Sequence, residues 1–275
     1  MSTVAEIINI METIAPLNLA ENWDNCGLQV GHKLWPVNKI QVALDPLIEV
    51  VDSAIEAQVD LLITHHPLIL KPLKIIDLQT AQGTVISKAL NHQLSIYTAH
   101  TNLDKAKGGV NDLLCDQLNL KNLQPLIMNE KETGLGRIGQ LENPITLAGY
   151  ARQIQNSFRL DFVKVAGRQD LLIESAAVCS GSGSSLLDHF LSSKAQVFIS
   201  GDLKYHDARI IEEADLALID IGHFTSEHLI VANLSCQLKK ILKQRNLKIK
   251  VDHCSIENDP FYFINKENIS KGHNI

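Results

Sequence analysis

The chain has 275 residues, 45% of them hydrophobic and 20% charged, the balance of an ordinary globular protein. Its length suggests about two domains and suffices to bury a core without disulfide or metal staples. A net charge of −6 and a pI near 6.0 argue against the broad basic face that tight, nonspecific nucleic-acid binding needs. Eleven histidines exceed the needs of a neutral scaffold.

No apolar run approaches the ~18 residues of a transmembrane helix. The first residues carry neither a basic region nor an apolar stretch, so they do not read as a signal peptide. Thr3 and Glu6 have capping-box spacing, and Ile7, Met11 and Ile14 follow at helical period, which predicts an N-terminal helix. Cys26, Cys115, Cys179, Cys236 and Cys254 are odd in number and widely spaced. That pattern suits a reducing, cytoplasmic location and opposes a disulfide framework or a cysteine-based zinc finger.

In chain order, Ile40–Leu44 predicts a strand, Leu47–Ala57 a helix and Leu61–Thr64 a strand. Leu78–Leu90 predicts a helix, Ser95–Ala99 a strand and Val110–Leu118 a helix. The polar interval from Asn129 to Gly134 separates a second cycle. There Gly136–Leu141, Asp161–Val165, Ile173–Cys179, Val197–Ser200, Leu216–Ile221 and Lys248–Val251 predict strands, with Phe261–Phe263 as an additional one. Ile145–Phe158, Leu186–Leu191, Asp207–Glu213 and His228–Leu242 predict the helices between them. The alternation implies an α/β fold, and the tail from Asn265 reads as frayed.

Three predicted strands end in histidine and carboxylate groups. Leu61–Thr64 runs into His65-His66-Pro67. Adjacent strand residues point to opposite faces, so two such histidines serve two neighbouring ions more easily than one. Alone, the pair reads more simply as exposed or capping. Ser95–Ala99 runs into His100, with Asp104 four residues on, which by itself is also a turn or cap pattern. Leu216–Ile221 runs into Gly222 and His223, with Glu227 at helical i, i+4 spacing. His228 points away from Glu227 and reads as a neighbour or a surface residue. Three independent coincidences are a poor account of three such ends. Histidine and carboxylate together suit Zn, Mn or Fe better than Ca or Mg. His65, His66, Asp104, His223 and Glu227 are too many for one open catalytic zinc. They fit two divalent ions about 3.5–4 Å apart with Glu227 as the bridge. His100 is a candidate general base or an orienting residue, and a plain strand-end histidine is its equal alternative.

Other stretches are weaker. In Trp23-Asp24-Asn25-Cys26-Gly27, Trp23 can stack a base, and Asp24 and Asn25 can contact substrate. A turn around Gly27 with Trp23 in the core is the simpler reading. Ser180–Ser185, with Ser182 and Gly183 at its centre, resembles an anion-binding turn but lacks the lysine of a P-loop, and a tight strand-to-helix turn explains it as well. His206 can line the same crevice, whereas His32, His92, His189, His253 and His273 have no partner in pattern.

Taken in order, these pieces resemble the GTP cyclohydrolase I type 2 family of dinuclear-metal-centre proteins, also called Nif-three-like. The carriers are Trp23–Gly31, Thr64–Pro67, His100–Asp104, Ser180–Gly183, Ser200–His206 and Gly222–Glu227, spread over nearly the whole chain. The resemblance implies ligands at His65, His66, Asp104, His223 and Glu227. It implies two α/β subdomains, mixed sheets flanked by helices, and a dinuclear metal site at strand ends in the cleft between them. The subdomains would be 1–128 and 129–275, with the last helix and strands packing back on the first and no inserted third domain. The resemblance also implies a toroidal homohexamer, a trimer of dimers, whose metals face an internal cavity. The implied activity is hydrolysis of a nucleotide or purine-type small molecule by water activated between the ions. A non-catalytic metal-binding scaffold or regulatory interaction protein is the alternative.

Overall fold

The computed structural model describes residues 2–127 and 134–264. The polar interval at 129–133 and the tail from Asn265 lie outside the described residues.

Helix α1 (Val4–Ile14) is followed by strands β1 (Gly27–Val30) and β2 (Lys39–Ala43), helix α2 (Ile48–Glu56) and strand β3 (Leu61–Thr64). Then come α3 (Ala81–Asn91), β4 (Ser95–Thr98), and the helices α4 (Thr101–Lys105) and α5 (Val110–Gln117). The next stretch holds β5 (Lys121–Pro125), β6 (Arg137–Thr146), α6 (Leu147–Phe158), β7 (Lys164–Ala166) and β8 (Leu172–Ser182). It continues with α7 (Leu187–Leu191), β9 (Val197–Gly201), α8 (Tyr205–Glu213) and β10 (Ala217–Asp220). The described chain closes with α9 (His223–Glu227), α10 (Leu229–Gln244) and β11 (Lys250–His253).

The strands form two mixed sheets. The first has the order β1-β4-β3-β2-β11 and the second β5-β6-β8-β9-β10-β7. Strands β11, β2, β3 and β4 run parallel, with β1 antiparallel at one edge. In the second sheet β8, β9 and β10 are parallel, and β5, β6 and β7 are antiparallel additions.

Both faces of each sheet are covered, as parallel strands require. Within β3, Leu61 and Ile63 face one way, into a core built with α1 and α10. Leu62 faces the other way, into a core with α2 and α3. The second sheet packs α5 and α6 on one face and α7 and α8 on the other. Because α10 packs on the first sheet and β11 pairs with β2, the end of the described chain returns to the first half. Among the described residues, no helix is long and apolar enough to cross a membrane. All five cysteines are free.

Some local expectations are corrected. Thr3 is the N-cap of α1, but its side chain makes no cap bond and no capping box forms. Carbonyls at Lys33 and Trp35 take the first amides of the helix instead. Helix α3 starts at Ala81, where Thr80 Oγ1 accepts from Gly83 N. The expected strand at Phe261–Phe263 is irregular, exposed chain. Three elements carry no clear apolar alternation and were not expected: β1, β5 and α4.

Candidate metal centre

The C-terminal ends of the parallel strands in the two sheets supply the site, as the geometry of open α/β sheets favours. From the first sheet, β2 leads to Asp45, β3 to His65 and His66, and β4 to His100 and then Asp104 in α4. From the second, β8 brings Gly181, β9 leads to Asp202, and β10 leads to His223 and Glu227 at the two ends of α9. The one-turn helix α9 places those two on one face, with His223 Nε2 2.9 Å from Glu227 Oε2. His66 Nε2 also stands 2.9 Å from Glu227 Oε2. His65 Nε2 lies 3.6 Å from Glu227 Oε1 and 3.7 Å from Asp104 Oδ1.

Four imidazoles share one orientation. His65 Nδ1 donates to the Ala99 carbonyl at 3.0 Å, and His66 Nδ1 to Asp45 at 2.8 Å. His100 Nδ1 donates to Asp24 at 2.9 Å, and His223 Nδ1 to Asp202 at 2.7 Å. Carbonyls and carboxylates only accept, so each Nδ1 carries the proton and each Nε2 is left to face the shared space. Metal-ligating histidines are held in this way. The inward atoms are then acceptors: Nε2 atoms and two buried carboxylates, Asp104 and Glu227. His66 Nε2 and His223 Nε2 approach to 3.3 Å, and the buried Nε2 of His65 has no hydrogen-bond partner. Such a cluster calls for positive charge.

Without a metal, protons answer that call. Burial disfavours the charge on His66, but hydrogen bonds to Asp45 and Glu227 outweigh it and push its pKa up to about 10. The bond to Glu227 raises His223 to about 9 against its burial. Burial would lift Glu227, yet the surrounding histidines hold it well below the usual carboxylate range. Asp104 shifts the other way, raised first by burial.

Three sets of side chains have ligand atoms that all lie within 4.8 Å of one another: His65, Asp104 and Glu227; His66, His223 and Glu227; and His65, His66 and His100. Each set could hold a metal ion, and Glu227 belongs to two of them. All five expected ligands and His100 therefore come together.

The remaining candidates divide. Trp23 is not in the core but 62% exposed, with its ring edge-on to His100 at 6.1 Å. Asp24 has a fully buried side chain, engaged by His100, by the amide and hydroxyl of Thr101, and by the Cys26 thiol. Burial and that bond to Asp24 push the Cys26 thiol up to about 12. Asn25 is exposed and bonds the Ile69 carbonyl. Ser182 is exposed, whereas Gly183 is buried against Ser200 and Phe198. His206 is exposed beside Tyr205, and His228 stacks on Phe224.

Sequence reasoning passed over Asp45 and Glu257, and it took Gly181 only as part of the Ser180–Ser185 turn. Asp45 follows a strand end, the same signal that marked the histidines. Gly181 sits against Glu227, where φ is +63° and a Cβ would come within 2.1 Å of Oε1. Glu257, past β11, accepts from the amides of Leu44 and Asp45. Hydrogen bonds away from the ligand atoms also join the halves of the site. Asn111 links the Asp104 carbonyl to the Ser180 amide, and Ser180 Oγ lies 3.3 Å from Asp104 Oδ1.

Fold and site define an α/β protein of two mixed sheets with a histidine–carboxylate cluster suited to metal at the facing strand ends. The model of the DUF34/NIF3 family (NGG1p interacting factor 3) matches residues 2–260, and the chain belongs to that family. A GTP cyclohydrolase 1 type 2 homolog of Clostridium acetobutylicum is 34% identical over 263 residues, covering 94% of this chain and 98% of the relative. A Bacillus cereus protein related to NIF3 superposes with a TM-score of 0.90 at 26% identity, over 96% of this chain and 99% of that one. Reduced HcgD from Methanocaldococcus jannaschii gives a TM-score of 0.77 at 33% identity, over 92% and 97% of the two chains.

Proposed function

We propose that the protein is a dinuclear-metal-dependent hydrolase acting on a nucleotide or purine-type small molecule. His65, Asp104 and Glu227 would hold one divalent ion, and His66, His223 and Glu227 the other, with Zn, Mn or Fe as the metals their chemistry suits. The membership of Glu227 in both ligand sets carries the reading. Three protein ligands per ion leave coordination positions open, as a catalytic site requires. The bound ions would supply Lewis-acid charge that polarises a substrate oxygen and activates water.

The chain's own residues do the rest. Asp24 keeps the His100 proton on Nδ1, so Nε2 is free to take a proton beside His65 and His66. Asp45 and Asp202 orient His66 and His223 in the same way. Burial and the bond to Asp24 raise the Cys26 thiol to about 12, which keeps it protonated near neutral pH and disfavours it as a nucleophile. The resemblance adds a homohexamer with metals facing inward, whose subunit count native mass spectrometry tests, and the cysteine pattern suits a cytoplasmic location. A non-catalytic scaffold is the competing reading, supported by ligands drawn from both halves of the chain.

The test is elemental analysis and a nucleotide turnover screen on protein purified without chelator. Two ions per chain with turnover are expected. Glu227→Ala should lose metal and turnover together. Full occupancy in that variant overturns the bridge, and metal-loaded protein that binds nucleotides without turning them over favours the scaffold.

A further inference from the structure

The turn that carries Trp23 is bolted down on both sides. Asp24 N donates to Glu21 O at 3.0 Å, closing a tight turn with Asn22 and Trp23 at its tip. Glu21 N donates to Thr101 Oγ1 at 2.9 Å, and its carboxylate pairs with Lys105 at 2.7 Å. Asp24 binds Thr101 and His100 from the other side. A few residues on, Asn25 and Gln29 fasten the chain to Ile69. Everything around Trp23 is held, yet its indole is exposed. Fixed aromatic faces cost little ordering entropy when a ligand lands on them.

The ring has a direction as well. Centroids step 6.1 Å from Trp23 to His100, 5.7 Å from His100 to His66 and 5.3 Å from His66 to His223. A ligand lying on Trp23 and extended along this row meets the metal centre with its far end. The residues beside Trp23 in the turn are polar, Asn22, Asp24 and Asn25, and the ring next to its indole is that of His100. That setting suits a flat ring with hydrogen-bonding edges better than an apolar protein surface.

We infer that Trp23 is the stacking surface for the heterocycle of a nucleoside phosphate whose phosphate reaches the metal centre. The inference rests on the nucleotide reading above and narrows it. A heterocycle seated on Trp23 keeps its ring carbons two rings away from Glu227, so the phosphate, not the purine ring, is presented to the ligands.

The probes are guanosine 5′-monophosphate and ribose 5-phosphate, titrated into the metal-loaded full chain with tryptophan fluorescence and calorimetry as readouts. The other indole is Trp35, which is packed against the core. Guanosine 5′-monophosphate should quench fluorescence and ribose 5-phosphate should not. Trp23→Phe should bind the nucleotide without quenching. Trp23→Ala should weaken nucleotide binding on the order of tenfold to a hundredfold. Its affinity for ribose 5-phosphate should not change, which shows an intact metal centre. Equal nucleotide affinity in wild type and Trp23→Ala overturns the stacking role and leaves the nucleotide reading standing. No binding of the nucleotide to either overturns both.

Discussion

Gly181 and Glu227 press against each other in the candidate metal centre, so close that a Cβ on the glycine would stand 2.1 Å from the carboxylate oxygen Oε1. The register of β8 against β9 shifts between Val178 and Ser182, and the chain turns there with φ +63° at Gly181. The Gly181 amide then donates to Ser226 Oγ at 2.8 Å, which fixes the helix bearing Glu227. A backbone irregularity in one strand thus makes room for a side chain from another element.

Gly181→Ala should fold but lose metal. The left-handed backbone costs an alanine roughly 1–2 kcal/mol, and the methyl displaces Glu227. Melting should fall by a few degrees, while metal content drops at both ligand sets. Unchanged metal content with a normal melting curve would show that Glu227 can move aside freely.

His223→Ala should remove the ion proposed for His66, His223 and Glu227 and spare the one proposed for His65, Asp104 and Glu227, and His65→Ala should do the reverse, because these two sets share only Glu227. Metal counting by mass spectrometry checks this, one ion per chain being the expected value for either variant. Loss of both ions from either single change would mean that the sets do not bind separately.

Asp24→Asn should matter most above acid pH. Burial opposes ionisation of Asp24, but bonds from His100, Thr101 and Cys26 outweigh it and hold its pKa well below the usual value. A depressed carboxylate contributes stability that is present above its unfolded pKa of about 3.9 and is lost as pH falls through the folded value. In metal-free protein the variant should be less stable by roughly 1.5–3 kcal/mol near neutrality. The gap should close as pH drops below about 3.9. Melting temperatures of both proteins across that range decide it, and a gap independent of pH would contradict the role of the charge.

Glu257→Ala should weaken metal binding although Glu257 touches no ligand. Its carboxylate takes the Leu44 amide at 2.9 Å and the Asp45 amide at 2.8 Å, and Asp45 in turn holds His66. Changes to such supporting partners typically cost about tenfold to a hundredfold in metal affinity. Competition with a chromogenic chelator measures it. The loss should fall on the ion held by His66 and His223, and an equal loss at both ions would point to general loosening instead.

Legibility followed the reach of the physical signal. Strand β3 was readable because the apolar run Leu61–Ile63 and β-branched Thr64 are stopped by His-His-Pro, and α9 because His223 and Glu227 keep helical spacing. Strand β5 was not, since Lys121–Pro125 is largely exposed and gains its order from pairing with β6. The Thr3–Glu6 spacing misled because the Glu6 amide goes to the Thr3 carbonyl and not to its hydroxyl, while distant carbonyls at Trp35 and Lys33 take the Val4 and Ala5 amides. Asp45 escaped notice for a related reason. An aspartate before a proline reads as a turn residue, and its partner His66 lies 21 positions on. The meeting of His66 with His223 spans 157 positions, and it was legible through recurrence of the same residue types at strand ends and through the ordered motifs of the family resemblance, not through any local spacing.

The pairing of β11 with β2 imposes an order of events on biosynthesis. Strand β2 must wait with one hydrogen-bonding edge bare until Lys250–His253 leaves the ribosome. Glu257, which holds the Asp45 turn, emerges later still. The half of the molecule made first is therefore completed last, and an incomplete chain carries an open sheet edge of the kind that promotes aggregation. An ion at His66 would then be held at full strength only once translation has passed residue 257.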